Sequence, residues 1–492
     1  MTPQRRELTF GIVIVVVLAL GIAYGWVVRS VAPAGFASTI PLSGKSFSSR
    51  ASYCPPSEVK TKDKTRIAVA SASGAAIPVS VEPAATPSPV TQGTSTSGAG
   101  ATPAPSPASP APTSSPPATV PQGRALFSRS ARDRAVNVVG YAGAVISSAV
   151  TTGPSGVGAT ACSATAGRRW YFAEGSSALG YDERLILYNP FPDEAVARVS
   201  FLTPNGKQTK ANLSDQAVPA GATSVLRLND FVLKEPLLSI EIDAIRGRLV
   251  AWRSLQAHAR GRPRGTQLSL GTASSRTEWF LPDGDVGQGY DERIALLNPS
   301  SKAARVTISV LTAHRTVQPP KLLNITVPPA SSKSVAPASA ITGCNRKVCG
   351  IGAVVTSTNK VGIVAERTIW YSTGHLSGVA SEIGSPGTAT HWYLGPASFA
   401  PARDWISVVN PTTADARVSV MLETDHAGPR SPAALQHLKV KAGTRLQIPV
   451  TRWTSGRPVV ALLSSDQQVV AERSSYSRRS NDVSALMGRG LP

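Results

Sequence analysis

Three carboxylates keep one spacing along the chain: Glu183, Glu292 and Asp404 each stand six residues before an Asn-Pro pair. Each has a companion arginine in the closing apolar stretch of its segment, at Arg253, Arg367 and Arg473. A carboxylate and a guanidinium form a charge-assisted pair where folding brings them together. Three copies of one acid–arginine pair are therefore expected. Two readings stay open, a structural ion pair at a sheet edge and a repeated polar site. Asp182-Glu183 and Asp291-Glu292 also offer the paired carboxyls of glycoside hydrolysis. Repetition argues against that chemistry, because an enzyme needs one site rather than tandem copies. The third copy, Arg403-Asp404, has lost half of the pair. The six histidines, His258, His314, His375, His391, His426 and His437, fall in no metal or nucleophile-elbow motif. The chain reads as a non-enzyme with no catalytic residue, metal ligand or cofactor.

The four cysteines, Cys54, Cys162, Cys344 and Cys349, have no histidine or second cysteine pair at zinc spacing. In an exported chain they point to two disulfides. Cys344 and Cys349 bracket the turn in GCNRKVCG, which leaves Cys54 to pair with Cys162.

The repeated acids sit in a stretch that must position them. Trp170 to Pro190 reads WYFAEGSSALGYDERLILYNP. It returns at Trp279 to Pro299 as WFLPDGDVGQGYDERIALLNP, and in eroded form at Trp392 to Pro411 as WYLGPASFAPARDWISVVNP. The opening aromatics suit a strand start, and the Gly-, Ser- and Ala-containing stretch after them is turn chemistry. The second apolar run stops at Asn189-Pro190, Asn298-Pro299 and Asn410-Pro411, because proline has no N–H for the ladder and asparagine caps turns. The stretch is thus a strand–turn–strand corner, with a repeated binding site at each corner as the rival reading.

Beyond each corner come more short strands. In the first unit they are Val196 to Thr203, Ser224 to Leu228, Leu237 to Ile242 and Leu249 to Leu255, with Pro204-Asn205-Gly206 as a hairpin turn. No segment keeps a helical period. The expected fold is all-β, with three tandem immunoglobulin-like β-sandwich units at 169–275, 276–388 and 389–492. Ahead of them, 53–168 reads as a small disulfide-closed β domain interrupted by a disordered Pro/Ser/Thr-rich tract at 83–123. That tract has no charge and eleven prolines. It is either a long insertion inside the small domain or a stalk below the repeats.

Phe10 to Val28 is 19 residues without a charge, long enough to span a bilayer core, and Arg5 and Arg6 precede it. An N-terminal transmembrane helix at 10–28 behind a cytoplasmic tail at 1–9 is expected, with cleavage as a signal peptide as the alternative. Either way the bulk of the chain is expected outside the cytoplasm. The net charge of +21 calls for an anionic neighbour. Export disfavours nucleic acid, and the best basic cluster, His258 to Arg264, reads as a loop.

Residues 159 to 190, with a Cys shortly before a Trp-aromatic-aromatic segment and L-x-L-x-N-P, resemble a family of exported, membrane-anchored actinobacterial proteins of unknown function. Cys54-Pro55 after the membrane segment fits the same pattern. The resemblance implies a β-rich envelope protein and carries no catalytic or binding residues. The expected function is a binding or scaffold protein of the bacterial cell envelope, engaging an anionic envelope polymer or an envelope protein of the wall-building machinery. The alternative is a carbohydrate-binding accessory to an envelope glycosyltransferase, for which Trp252, Trp370, Trp405 and Trp453 are the candidate platforms.

Overall fold

The computed structural model describes residues 50–57, 63–71, 75–84, 118–130, 133–141, 143–341, 349–373, 376–400, 402–454, 457–477 and 483–491. The expected membrane segment, most of the proline-rich tract and Cys344 lie outside the described residues. No helix among those described is long and apolar enough to cross a membrane. The fold is all-β.

Unit one shows the plan. Its eight main strands are Arg169–Phe172, Tyr181–Tyr188, Ala195–Thr203, Gly206–Thr209, Thr223–Arg227, Ser239–Arg246, Val250–Ala257 and Gly265–Leu270. In chain order, one sheet runs fourth, third, sixth, first, and the other runs fifth, second, seventh, eighth. All these pairings are antiparallel. The strands alternate β-branched or aromatic core residues with polar ones, as in Ala304–Leu311 and Ala416–Glu423, so each sheet keeps one apolar face for its partner.

The order departs from the expected immunoglobulin-like one. There the first strand shares a sheet with the second and pairs with it. Here the first strand pairs with the sixth, Trp170 opposite Ile242, and the second lies in the facing sheet. The tryptophan accounts for the difference. Trp170 is buried, and its Nε1 donates to Leu249 O at 2.8 Å, at the corner between the sixth and seventh strands. Trp279 does the same to Ile363 O at 2.7 Å and Trp392 to Val469 O at 3.1 Å. The chain must then cross to the other sheet through the Gly175–Gly180 turn.

The Asn of each corner is fully buried and holds three carbonyls. Asn298 Nδ2 lies 2.8 Å from Lys302 O, 3.0 Å from Val327 O and 2.8 Å from Pro328 O, while its Oδ1 accepts from Ser300 N. Asn189 and Asn410 repeat this arrangement.

The N-terminal domain is a fourth sandwich on the same plan. Arg50–Cys54 pairs with Val136–Gly140 and that with Ile77–Pro83, facing a sheet of Ala125–Arg129, Lys64–Ser71, Val145–Gly153 and Gly156–Ala161. Ile77–Pro83 also pairs with Ala118–Val120, so the proline-rich tract is an insertion between two paired strands. Cys54 and Cys162 are disulfide-bonded with Cα atoms 4.5 Å apart. Cys349 is disulfide-bonded too, and its expected partner Cys344 lies outside the described residues.

The last strands of the four sandwiches lock together. Gly156–Ala161 packs on Gly265–Leu270, which packs on Leu376–Ile383, which packs on Val483–Met487, which returns to Gly156–Ala161. The ring closes tightly because small residues let backbones meet. A Cβ on Gly265 would come within 2.6 Å of Val379 Cγ1 and 3.0 Å of its amide nitrogen. In unit one the hairpin between the seventh and eighth strands lies at the end of the sandwich opposite the Asn-Pro corner.

Candidate functional site

Of the three expected acid–arginine pairs only Asp404–Arg473 forms closely; the arginines of units one and two are met instead by other acids, across the junctions between sandwiches. Arg253 sits in the seventh strand of unit one, fully buried. Its nearest approach to Glu183 is 3.9 Å, from Nε to Oε1. Its Nη2 instead lies 2.6 Å from Oε1 of Glu366, in the seventh strand of unit two. Glu366 Oε2 completes the station by accepting from the amides of Ala173 and Glu174, at 3.0 and 2.8 Å, and Arg253 also donates to Glu174 O.

The next junction repeats this geometry. Arg367 of unit two meets Glu472 of unit three at 2.6 and 3.0 Å. Glu472 accepts from Asp283 N at 3.2 Å, and Arg367 donates to Asp283 O. A second link crosses here, from Arg445 Nη2 to Asp283 Oδ1 at 2.6 Å, with Ser407 on the same oxygen. The expected Glu292–Arg367 contact is thus replaced by Glu472. In unit three Arg473 and Asp404 do pair, at 3.0 Å. The reason is positional: the carboxylate that answers each arginine stands just before the arginine of the following unit, as Glu366-Arg367 and Glu472-Arg473. At the corresponding place the N-terminal sandwich has Ser148, so Arg473 turns to Asp404 and to the carbonyls of Gly395 and Val459. Unit one has Trp252 there, facing a sandwich whose matching residue is Ala149.

Glu183 and Glu292 have another task. Their Oε2 atoms accept from Ser176 N at 2.7 Å and Asp285 N at 2.8 Å, fixing the turn that leads to the second strand. At Gly175, φ is +155°, and a Cβ would lie 2.5 Å from Glu183 Oε1.

These junctions bury more carboxyls than arginines. Burial pushes Glu183 up to about 8, with Glu366 adding to it against Arg253. Glu174 is pushed to about 8 by burial and by Glu366. Glu292 rises to about 8, and Asp285 to about 7, by burial and then by the neighbouring acids. Glu382 lies well above the usual range, through burial and Glu472. Asp283 goes the other way: Arg445 and Arg367 overcome its burial and hold it low. Such groups can keep protons and tie backbones together. Among the described residues, no group of three or more His, Cys, Asp or Glu is placed to hold a metal ion.

Of the candidate sugar platforms, Trp252 is completely buried. Trp370 is half-buried beneath Arg262, 5.0 Å from its ring centroid, and Trp405 and Trp453 pack partly against cores. The loop His258 to Arg264 is the hairpin between the seventh and eighth strands of unit one.

The sequence matches a family described as "Family of unknown function (DUF5719)" over residues 124–336 and again over 255–485. The chain belongs to this family. Two overlapping matches agree with a repeated plan. No curated protein matches the chain. A solved structure titled "Crystal Structure of Thermotoga maritima 1070" is similar at 17% identity, over 23% of this chain and 96% of its own, with a TM-score of 0.20. Membership in DUF5719 assigns no activity. Sequence reasoning missed Glu366, Glu472, Asp283 and Arg445. The Glu-Arg dipeptide in the closing strands of units two and three, where unit one has Trp252-Arg253, was the available signal for the first two.

Proposed function

We propose that this member of DUF5719 is a non-catalytic binding or scaffold protein of the bacterial cell envelope. It is anchored through Phe10–Val28, with its ring of sandwiches outside the cytoplasm. Its partner is an anionic envelope polymer or a protein of the wall-building machinery. One observation carries the reading. Among the described residues, twelve aspartates and glutamates are buried against four arginines, in a chain whose net charge is +21. Sequestering acids in the interior leaves the surface more basic than the composition suggests, and such a surface gathers polyanions by screened Coulomb attraction. The repeated acids are occupied in the framework, Glu183 and Glu292 in fixing turns and Asp404 in pairing with Arg473, which supports a non-catalytic role.

The test is co-sedimentation of the full chain with purified wall material over a salt series. Binding at low salt that is released well above physiological salt is expected. Binding absent at low salt, or indifferent to salt, overturns the reading.

A further inference from the structure

We propose that the hairpin end of unit one docks onto an anionic lipid surface, with Leu179 and Leu233 entering it. The inference rests on the membrane-proximal placement proposed above and names a surface for it. Leu179 is 95% exposed and Leu233 is 71% exposed, the two highest values among the exposed large apolar side chains of the described residues. They project from two loops that are tied together. Ser177 N donates to Glu235 O at 2.9 Å, Lys234 N to Ser177 O at 3.2 Å, and Glu235 N to Ser177 Oγ at 3.2 Å. A third loop joins them, for His258 N donates to Gly180 O at 2.7 Å. That loop is the hairpin bearing exposed Arg260, Arg262 and Arg264, and Lys234 beside Leu233 is exposed as well.

Folding does not require this apolar tip. Unit two builds the same turn, with φ +87° at Gly180 and +86° at Gly289, and puts Gln288 where unit one has Leu179. The charges around the tip are also uneven. Asp182 and Asp230 are held by Arg227, and Asp291 by Arg262 and Arg293. Arg260, Arg264 and Lys234 have no ion pair among the described residues, while Glu235 is the nearby acid without one. Two leucines rimmed by unpaired cations match a bilayer surface, where the apolar tips reach the acyl boundary and the cations meet anionic headgroups. A soluble polyanion would use the cations and leave the leucines in water, so the leucines favour lipid.

The test uses the full chain with an environment-sensitive fluorophore on Leu179→Cys. A matched reporter goes on Ile245→Cys, an exposed apolar position at the Asn-Pro end. Each is mixed with phosphatidylcholine vesicles, with and without phosphatidylglycerol, carrying nitroxide lipids. The expected result is a blue shift and quenching at position 179 only when phosphatidylglycerol is present, with position 245 unchanged. Arg260→Glu/Arg264→Glu should weaken docking by about tenfold or more. Its unfolding temperature, matched to the parent, excludes misfolding as the cause. A reporter at 179 that stays in water on anionic vesicles overturns the proposal, as does equal quenching without phosphatidylglycerol. If 179 stays in water while salt-sensitive binding to wall polymer persists, lipid docking fails and the envelope-binding reading stands.

Discussion

Arg253 has no water to fall back on, so the consequence of deleting its partner is steep. Replacing one member of a buried ion pair costs about 3–5 kcal/mol, because the other charge stays behind. Glu366→Ala should therefore lower the urea midpoint strongly. Arg253→Leu combined with Glu366→Leu should recover part of that loss. If the double variant is as unstable as the single, the pair is not what holds the junction. Asn298 is a different kind of residue, a clamp on three buried carbonyls. Asn298→Ala orphans them and should cost about 1–3 kcal/mol in chemical unfolding. Asn298 was legible from its place before Pro299 at the end of an apolar run. Glu366 was not, because its partner lies 113 residues earlier in another sandwich and no local pattern reports that distance.

At the scale of elements, the second strands and the turns leading into them carry a shared pH response. Glu174, Glu183 and Glu292 titrate near 8 in the fold against an ordinary 4.5, and Asp285 near 7 against 3.8. Between those limits the folded state binds protons that the unfolded chain has released, so stability falls as pH rises. Their contribution is complete below about pH 4 and is lost as pH climbs through about 7 to 8. Asp283, held low, opposes this only at the acid end. Thermal unfolding should therefore come several degrees higher near pH 5 than near pH 8.5, and Glu183→Gln should flatten the slope. A flat or inverted profile would show that these carboxyls are ionised in the fold. The strands themselves were readable, since alternation sets which face each residue takes. Which strand lies beside which was not: the aromatic run in Arg169–Phe172 says that Trp170 is buried, not that Ile242 sits opposite.

At the scale of the molecule, four sandwiches behave as one object because their last strands close a ring. Gly265→Val would drive a side chain into Val379 and should loosen both neighbours at once. Hydrogen exchange in Leu376–Ile383 and in Gly156–Ala161 should then accelerate together. Exchange confined to unit one would argue for independent beads on a string. Three of the four members were visible as Trp…Asn-Pro copies. The N-terminal one was legible as a small disulfide-closed β domain but not as a fourth copy, because it keeps the strand order but has neither the tryptophan nor the Asn-Pro corner. The four junctions also differ in chemistry: arginine with glutamate twice, arginine facing Ser148, and Ala149 facing Trp252. Three of them join consecutive sandwiches along the chain. The fourth, between unit three and the N-terminal sandwich, is sealed by non-covalent contacts such as Phe127 against Phe399 and lacks the cross-junction carboxylate. It is a clasp. Opened, it exposes two surfaces that fit each other equally well on separate chains, so brief warming at high concentration should yield exchanged dimers and longer necklaces that keep the same cyclic order of units.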